Sequence, residues 1–335
     1  MEKNCITKLN YNKINNKMIN YIEMKVKGKG KIKILQQTRT YKYLFNFERD
    51  DIELIINGEN ASMDNYEKIS EYKADEKSKN CSIAQFVEHN LLTGYNYYYN
   101  FNSDGIHTIK IIFKKKLYNC RNLFNNCRNI VEIDLSNFDC SQVMSCESMF
   151  DYCDSLVKLN LGQLDFSLCK NFKKMFYGCN DLENIDVSHF NTKNSVTFEA
   201  MFCGCKNLKS VDVSKFNSSK CTCINSMFRF CENLSEINMI NWDMSKIQIQ
   251  HKGFKLALPF LGKKINSINC LFERCKNLRM IKMNSNFSNI NNLIEDDTKE
   301  IFNGLPQSGT FYWKKGGNID KLLQLLPANW KKIME

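Results

Sequence analysis

The sequence predicts an α/β solenoid of about six 26-residue coils, with a β-rich N-terminal domain and a C-terminal cap. Three observations predict it: a phased Phe-x-x-Cys-x-x-Leu motif, an alternating Ile-x-Leu pair after each copy, and polar spacers of near-constant length. Internal repeats outrank other signals, because one unit cannot bury its own apolar edge and must stack on copies of itself.

The motif reads Phe124-Asn-Asn-Cys127-Arg-Asn-Ile130. It recurs at Phe150/Cys153/Leu156, Phe176/Cys179/Leu182, Phe202/Cys205/Leu208 and Phe228/Cys231/Leu234, each 26 residues on. A sixth copy, Phe272/Cys275/Leu278, follows after 44 residues, which is 26 plus an insertion of 18 at about residues 247–264. The pairs Ile133/Leu135, Leu159/Leu161, Ile185/Val187, Val211/Val213, Ile237/Met239 and Ile281/Met283 alternate as a short strand does. Before each Cys, apolar residues such as Phe172, Met175, Phe176 and Cys179 are spaced three, one and three apart, which fits one face of a helical turn or short helix. Six coils at ~4.8 Å per strand make an array roughly 30 Å long.

These units resemble the 26-residue leucine-rich-type repeats of BspA-like surface proteins. The nearest copies are Ile133-Asp-Leu-Ser-Asn-Phe138-Asp139 and Ile185-Asp-Val-Ser-His-Phe190-Asn-Thr192, and the likeness spans about residues 117–290. The resemblance implies a leucine-rich-repeat-like array, a role in adhesion or protein binding, and no catalytic residues.

The flanks carry no repeat. In residues 1–116, Tyr21-Ile-Glu-Met-Lys-Val-Lys27, Lys31-Ile-Lys-Ile-Leu35 and Asp51-Ile-Glu-Leu-Ile-Ile-Asn-Gly58 read as strands. Gly94 to Phe101 and Ile106 to Phe113, joined through Asp104-Gly105, read as a hairpin. Residues 62–79 are polar, a helix or loop, and Gly28-Lys-Gly30 is a kink or turn. The solenoid proper is expected over 117–300. In the cap, 301–335, a strand ends at Trp313, a helix N-capped by Asn318 stops at Pro327, and Phe311, Trp313, Leu322, Leu326 and Trp330 form the packing.

Composition narrows the function. Hydrophobic residues make up 43% and charged residues 25% of 335, so the chain folds. No stretch reaches the roughly 18 apolar residues of a membrane span, and the first ten residues contain no signal-peptide core. A cytoplasmic or assembly-associated location, a virion included, is therefore expected over classical secretion. The sixteen cysteines are expected to be reduced, the six phased ones stacking as small apolar groups. Cys120 and Cys146 occupy equivalent places in adjacent coils, where a disulfide is conceivable but the reduced form is expected. No zinc, phosphate-loop or hydrolase motif occurs, so no metal, cofactor or catalytic residue is expected.

The candidate binding surfaces are two. The outward strand column Asp134, Asn160, Asp186, Asp212, Asn238 and Lys282 faces a partner, or else solvates and hydrogen-bonds along the ladder. In the insertion, Phe254, Leu256, Leu258 and Phe260 alternate and form an apolar edge, or else fold back as core. The expected function is a non-enzymatic protein-binding or adhesion module, its partner another protein or other copies of itself. The alternatives are a component of a virion or other assembly, and a nucleic-acid binder using the basic N-terminal region. Residues 1–35, with nine Lys and two Glu, motivate the last, and Lys114-Lys-Lys116 and Lys314-Lys315 add charge, but scattered Lys without grouped Arg and aromatics argues against nucleic acid as the partner.

Overall fold

The computed structural model describes residues 20–39, 51–61, 66–69, 93–247, 268–287, 300–314 and 319–335. Within them the chain is mostly strand and turn, arranged in four sheets with no closed barrel. The strands are β1 (Asn20–Lys27), β2 (Gly30–Arg39), β3 (Ile52–Ile56), β4 (Glu59–Ala61), β5 (Tyr66–Ile69), β6 (Thr93–Phe101), β7 (Ile106–Phe113) and β8 (Ile130–Asp134). They continue as β9 (Lys158–Asn160), β10 (Asn184–Ile185), β11 (Ser210–Val211), β12 (Glu236–Met239), β13 (Met280–Met283), β14 (Thr310–Trp313) and β15 (Lys331–Met334). The one helix among the described residues is α1 (Asp320–Gln324).

The 26-residue units stack in parallel. Ile133 pairs with Leu159, Ile185 with Val211 and Ile237 with Ile281, so at these three junctions the alternating pair lies beside its copy one unit on. The opposite side of each coil differs from expectation. The stretch before each Cys is a run of tight turns, not a helix, which removes the α component from the repeats. Ser148, Lys174, Ala200 and Ser226 sit at φ 54°, 55°, 53° and 55°, and Tyr152, Gly178, Gly204 and Phe230 are left-handed as well. Alternating right- and left-handed residues turn every second N–H along the stack. Cys146, Ser148, Phe150 and Tyr152 donate to the carbonyls of Asn171 (2.9 Å), Lys173 (2.9 Å), Met175 (2.9 Å) and Tyr177 (2.7 Å) in the next coil. A helix would have kept those donors within the coil. The expected inward set is nevertheless inward: Phe172, Met175, Phe176 and Cys179 are fully buried.

Two columns fill the interior. Phe124, Phe150, Phe176, Phe202, Phe228, Phe272 and Phe302 stack ring on ring, with centroids 5.5–6.0 Å apart. Phe302 extends the column beyond the sixth expected copy. Its unit escapes the motif because Leu305 stands where the cysteine would and the step is 30 residues. Beside this column, the thiols of Cys153, Cys179, Cys205, Cys231 and Cys275 donate to the carbonyls of Phe124, Phe150, Phe176, Phe202 and Phe228 at 2.9–3.2 Å. Cysteine thus supplies both a small apolar body and a donor for a buried carbonyl.

The N-terminal strands also differ from expectation. β6 and β7 do not form a hairpin with each other. β1 and β2 run together as one bent strand, β6 and β7 as another, and the two lie antiparallel throughout: β1 against β7, then β2 against β6. The ribbon turns a corner at Gly28 (φ 131°), Gly30 and Gly105 (φ 130°), passing from a sheet ordered β4–β3–β7–β1–β8–β9 into one ordered β2–β6–β5. His107 secures the corner. Its Nε2 lies 3.1 Å from the Gly28 carbonyl and 3.0 Å from that of Ser103, and its ring stacks on Phe101. The Asp-Gly signal marked the bend correctly but not the partner. Within 62–79, β5 is a strand rather than a helix; the rest of that stretch is outside the described residues.

β1 also pairs with β8, Met24 facing Ile133, so the first repeat strand is covered by the N-terminal ribbon. At the other end β12–β13–β14–β15 run parallel. Phe311, Leu322, Leu326 and Trp330 are buried there and Trp313 is half-buried, while β15 was not anticipated. α1 starts after Ile319 without a side-chain cap; Asn318 is outside the described residues.

Burial pushes the Cys127 thiol up to about 12 and that of Cys179 well above the ordinary range, so both stay protonated at neutral pH. The six phased cysteines should resist a thiol reagent in the native protein and react once it is unfolded. Cys179→Ser should destabilise by about 1–3 kcal/mol in denaturant titration, since it buries a hydroxyl in an apolar column. Cys179→Ala should cost less than a larger polar replacement. Stoichiometric zinc, or disulfides among these six, would contradict this account.

Candidate functional site

The outward strand face begins with alternation. In β8 and β9, Ile133 and Leu159 point in, while Glu132, Asp134, Lys158 and Asn160 point out. The register aligns Asp134 with Asn160 and Asn238 with Lys282; Asp186 and Asp212 directly follow the β10–β11 pair. The expected column therefore lies in one file. Phe254, Leu256, Leu258 and Phe260 fall outside the described residues.

Each acidic or amide member of the file also turns a corner. Oδ1 of Asp134, Asn160, Asp186, Asp212 and Asn238 accepts the backbone N–H two residues on, at 2.8–3.2 Å. Ser188 and Ser214 add their hydroxyls to Asp186 and Asp212, and these bonds hold both carboxyls below the usual carboxylate range. Asn160 also bridges to Asp134 at 3.1 Å. Lys282 reaches Glu335 at 2.9 Å and lies over the Tyr312 ring.

The N-terminal ribbon widens this face, which an N-terminal domain expected only to cap the first coil did not include. Glu23, Lys25 and Lys110 from β1 and β7 continue the outward rows across β8. Together with Glu132, Asp134, Val157, Lys158, Asn160 and Glu183 they line a cavity of about 910 Å³. Its charges are interlocked: Lys110–Glu23 at 3.0 Å, Lys25–Glu132 at 2.7 Å, Lys158–Glu132 at 3.4 Å. The Tyr21-Ile-Glu-Met-Lys alternation could have indicated that Glu23 and Lys25 share one face.

Two polar groups lie on the turn side. Cys270, Glu273 and Glu300 bring one sulfur and two carboxylates within 4.8 Å of one another, a set that could hold a metal ion. Its groups already contact protein partners: Cys270 donates to Glu300 at 3.1 Å, and Arg229 forms an ion pair with Glu273 at 2.7 Å. Asp151 is buried, and its Oδ1 has no donor among the described residues. Burial raises its pKa to about 6 against the counter-pull of Lys174 and Ser148. The Cys146 and Cys169 sulfurs are 3.8 Å apart, and Cys169 donates to Cys146.

One protein family, described as "Mycoplasma protein of unknown function, DUF285", matches residues 95–210 and again 170–299. Together the two matches run from 95 to 299, more than half of the 335 residues. No curated protein and no solved structure matches the chain.

The corner and the charge are separable by mutation. Asp212→Asn should leave stability within about 0.5 kcal/mol, whereas Asp212→Ala should lose about 1 kcal/mol with its two hydrogen bonds, measured by chemical unfolding. Asp151 gives a pH test. Its carboxyl is easier to protonate folded than unfolded, so its penalty is absent below pH ~3.9 and grows as pH rises through about 6. Asp151→Asn should therefore match the wild type near pH 4 and exceed it by about 1–2 kcal/mol at pH 7.5. A constant difference across that range would exclude this role for burial.

Proposed function

We infer that this chain, which belongs to the DUF285 family, is a non-enzymatic binding module whose strand face receives a protein partner. On this reading the stacked units form a leucine-rich-repeat-like solenoid over 117–300, with residues 1–116 as an N-terminal cap and 301–335 as a C-terminal one. The observation that carries it is the cavity of about 910 Å³ spanning β1, β7, β8 and β9, where charged and apolar side chains alternate on a rigid sheet floor. Concave faces of repeat arrays are recurrent binding surfaces. The resemblance of the 26-residue unit to BspA-like repeats favours adhesion or protein binding. Protonated, buried thiols favour packing over nucleophilic use of the cysteines.

Nucleic-acid binding ranks below this, on a specific observation. Lys114, Lys115 and Lys116 pair with Glu53 (3.4 Å), Asp51 (2.6 Å) and Asp139 (2.9 Å), which neutralises one of the basic runs that motivated it. DNA or RNA binding should accordingly vanish near 0.15 M salt, and a Kd below about 10⁻⁷ M at that salt would reverse the ranking.

Val157 and Lys158 are exposed in the cavity wall. The pair Val157→Arg and Lys158→Glu should shift the melting temperature by less than about 2 °C and weaken partner capture from the source organism at least tenfold, roughly 1.4 kcal/mol. The control Lys206→Glu, outside the cavity lining, should do neither. Capture undiminished by the cavity pair would overturn the assignment of this face, and nuclease-sensitive capture would favour nucleic acid.

A further inference from the structure

The two ends of the strand stack are finished differently. β8, the first repeat strand, is covered by β1, whereas no described strand lies beyond β15. All four residues of β15 are exposed, including Ile333 (40%) and Met334 (55%), among the most exposed large apolar residues described. An open edge with apolar side chains is a template for another strand.

The geometry of that edge restricts what can pair with it. Lys331 N–H donates to Gly309 and Glu335 N–H to Trp313, so residues 331, 333 and 335 point their backbone groups at β14. In a parallel pair the alternate residues, Lys332 and Met334, direct theirs outward. Side chains follow the β14 register: Lys331 and Ile333 continue the outward row of Thr310 and Tyr312, and Lys332 and Met334 the inward row of Phe311 and Trp313.

We propose that β15 pairs antiparallel with β15 of a second copy, across a two-fold axis at Ile333. A two-fold perpendicular to the sheet pairs only residues of the same row, which leaves two compact registers. One centres on Lys332 and sets like charges directly opposite, which destabilises a sheet pair. The other centres on Ile333. It sets Ile333 against its own counterpart, Lys332 against Met334, and Lys331 against Glu335 of the second copy. The Oε1 of Glu335 takes Lys282 at 2.9 Å, and its other oxygen is left for Lys331. In that register Lys332 and Met334, whose backbone groups face outward, exchange four hydrogen bonds across the dyad. The edge is thus self-complementary in charge, in apolar contact and in backbone polarity, as a closed two-fold interface requires. It is independent of the cavity face assigned above, which lies at the other end of the stack.

Sedimentation of the full chain from about 0.01 to 1 mM should show a monomer–dimer equilibrium. Ile333→Lys, at an exposed site, should weaken association at least tenfold without changing the melting temperature. Lys331→Glu should weaken it by setting carboxylates opposite Glu335 of the second copy. A non-hydrogen-bonded pair brings Cα atoms to about 4.5 Å, within disulfide range. Ile333→Cys should therefore cross-link two copies on mild oxidation above the wild-type background, while Lys332→Cys should not. A chain that stays monomeric to 1 mM, without cross-linking through Ile333→Cys, would overturn the proposal and leave the edge to a strand of another protein. Equal cross-linking at 332 and 333 would overturn the register.

Discussion

The coils are tied together by backbone hydrogen bonds on two sides, and the rest of the structure serves to keep those two ladders in register. On the strand side the bonds are those of a parallel sheet at β8–β9, β10–β11 and β12–β13, while the turn side carries the tie at the other junctions. On the turn side they run from N–H groups at every second residue to carbonyls 25 residues on, or 43 across the insertion, which demands left-handed backbone at Ser148, Lys174, Ala200 and Ser226. Each such non-glycine residue costs on the order of 1 kcal/mol, and a satisfied buried N–H offsets it. The strain is therefore tolerated only where the next coil is present, which makes the coils interdependent rather than merely adjacent.

Register along the stack is reinforced by side chains that read the same interval. Arg121 meets Glu147, Lys173 meets Glu199, Glu183 meets Lys209 and Arg128 meets Asp154, all across 26 residues. Exposed ion pairs contribute little stability each. Their sign alternation still opposes a slipped register, in which like charges would face one another. Inside, the Phe and Cys columns do the same through shape: a slip by one unit is neutral, but a slip by one residue sets a ring against a carbonyl and leaves a thiol without its acceptor.

Much of this was legible because interior columns impose a strict period. Phe124 to Phe228 recur every 26 residues, and the Ile-x-Leu pairs fall where strands form. What was not legible has specific causes. The spacing of Phe172, Met175, Phe176 and Cys179 suits a helical turn and a run of tight turns equally, and only Gly178 and Gly204 hint at left-handed backbone. Asp104-Gly105 signals a bend, but strand partners are chosen by long-range packing, so a corner in a two-sheet ribbon reads as a hairpin. The Asp-x-Ser pattern at Asp134, Asp139, Asp165, Asp186, Asp212 and Asp243 was in plain view. It marks two files of side chains that each cap the N–H two residues on. For the candidate site, the column was legible from alternation, whereas the contribution of Glu23, Lys25 and Lys110 depends on β1 joining β8, a pairing that no local pattern specifies.

The corner chemistry also separates what the fold needs on the strand face from what it leaves open. Asn160 and Asn238 hold the same turn as Asp134, Asp186 and Asp212, with oxygen-to-nitrogen distances in the same range. One oxygen acceptor suffices for the turn, so amide and carboxylate serve it alike. Charge at these positions is thus unconstrained by the turn itself. A surface whose backbone is held rigidly by two ladders, and whose outward charges the turns do not dictate, can change its recognition properties without changing its stability. On the proposed reading, that separation suits the stacked repeat to binding and places the burden of specificity on the outward rows rather than on the Phe and Cys columns that set the 26-residue period of this chain.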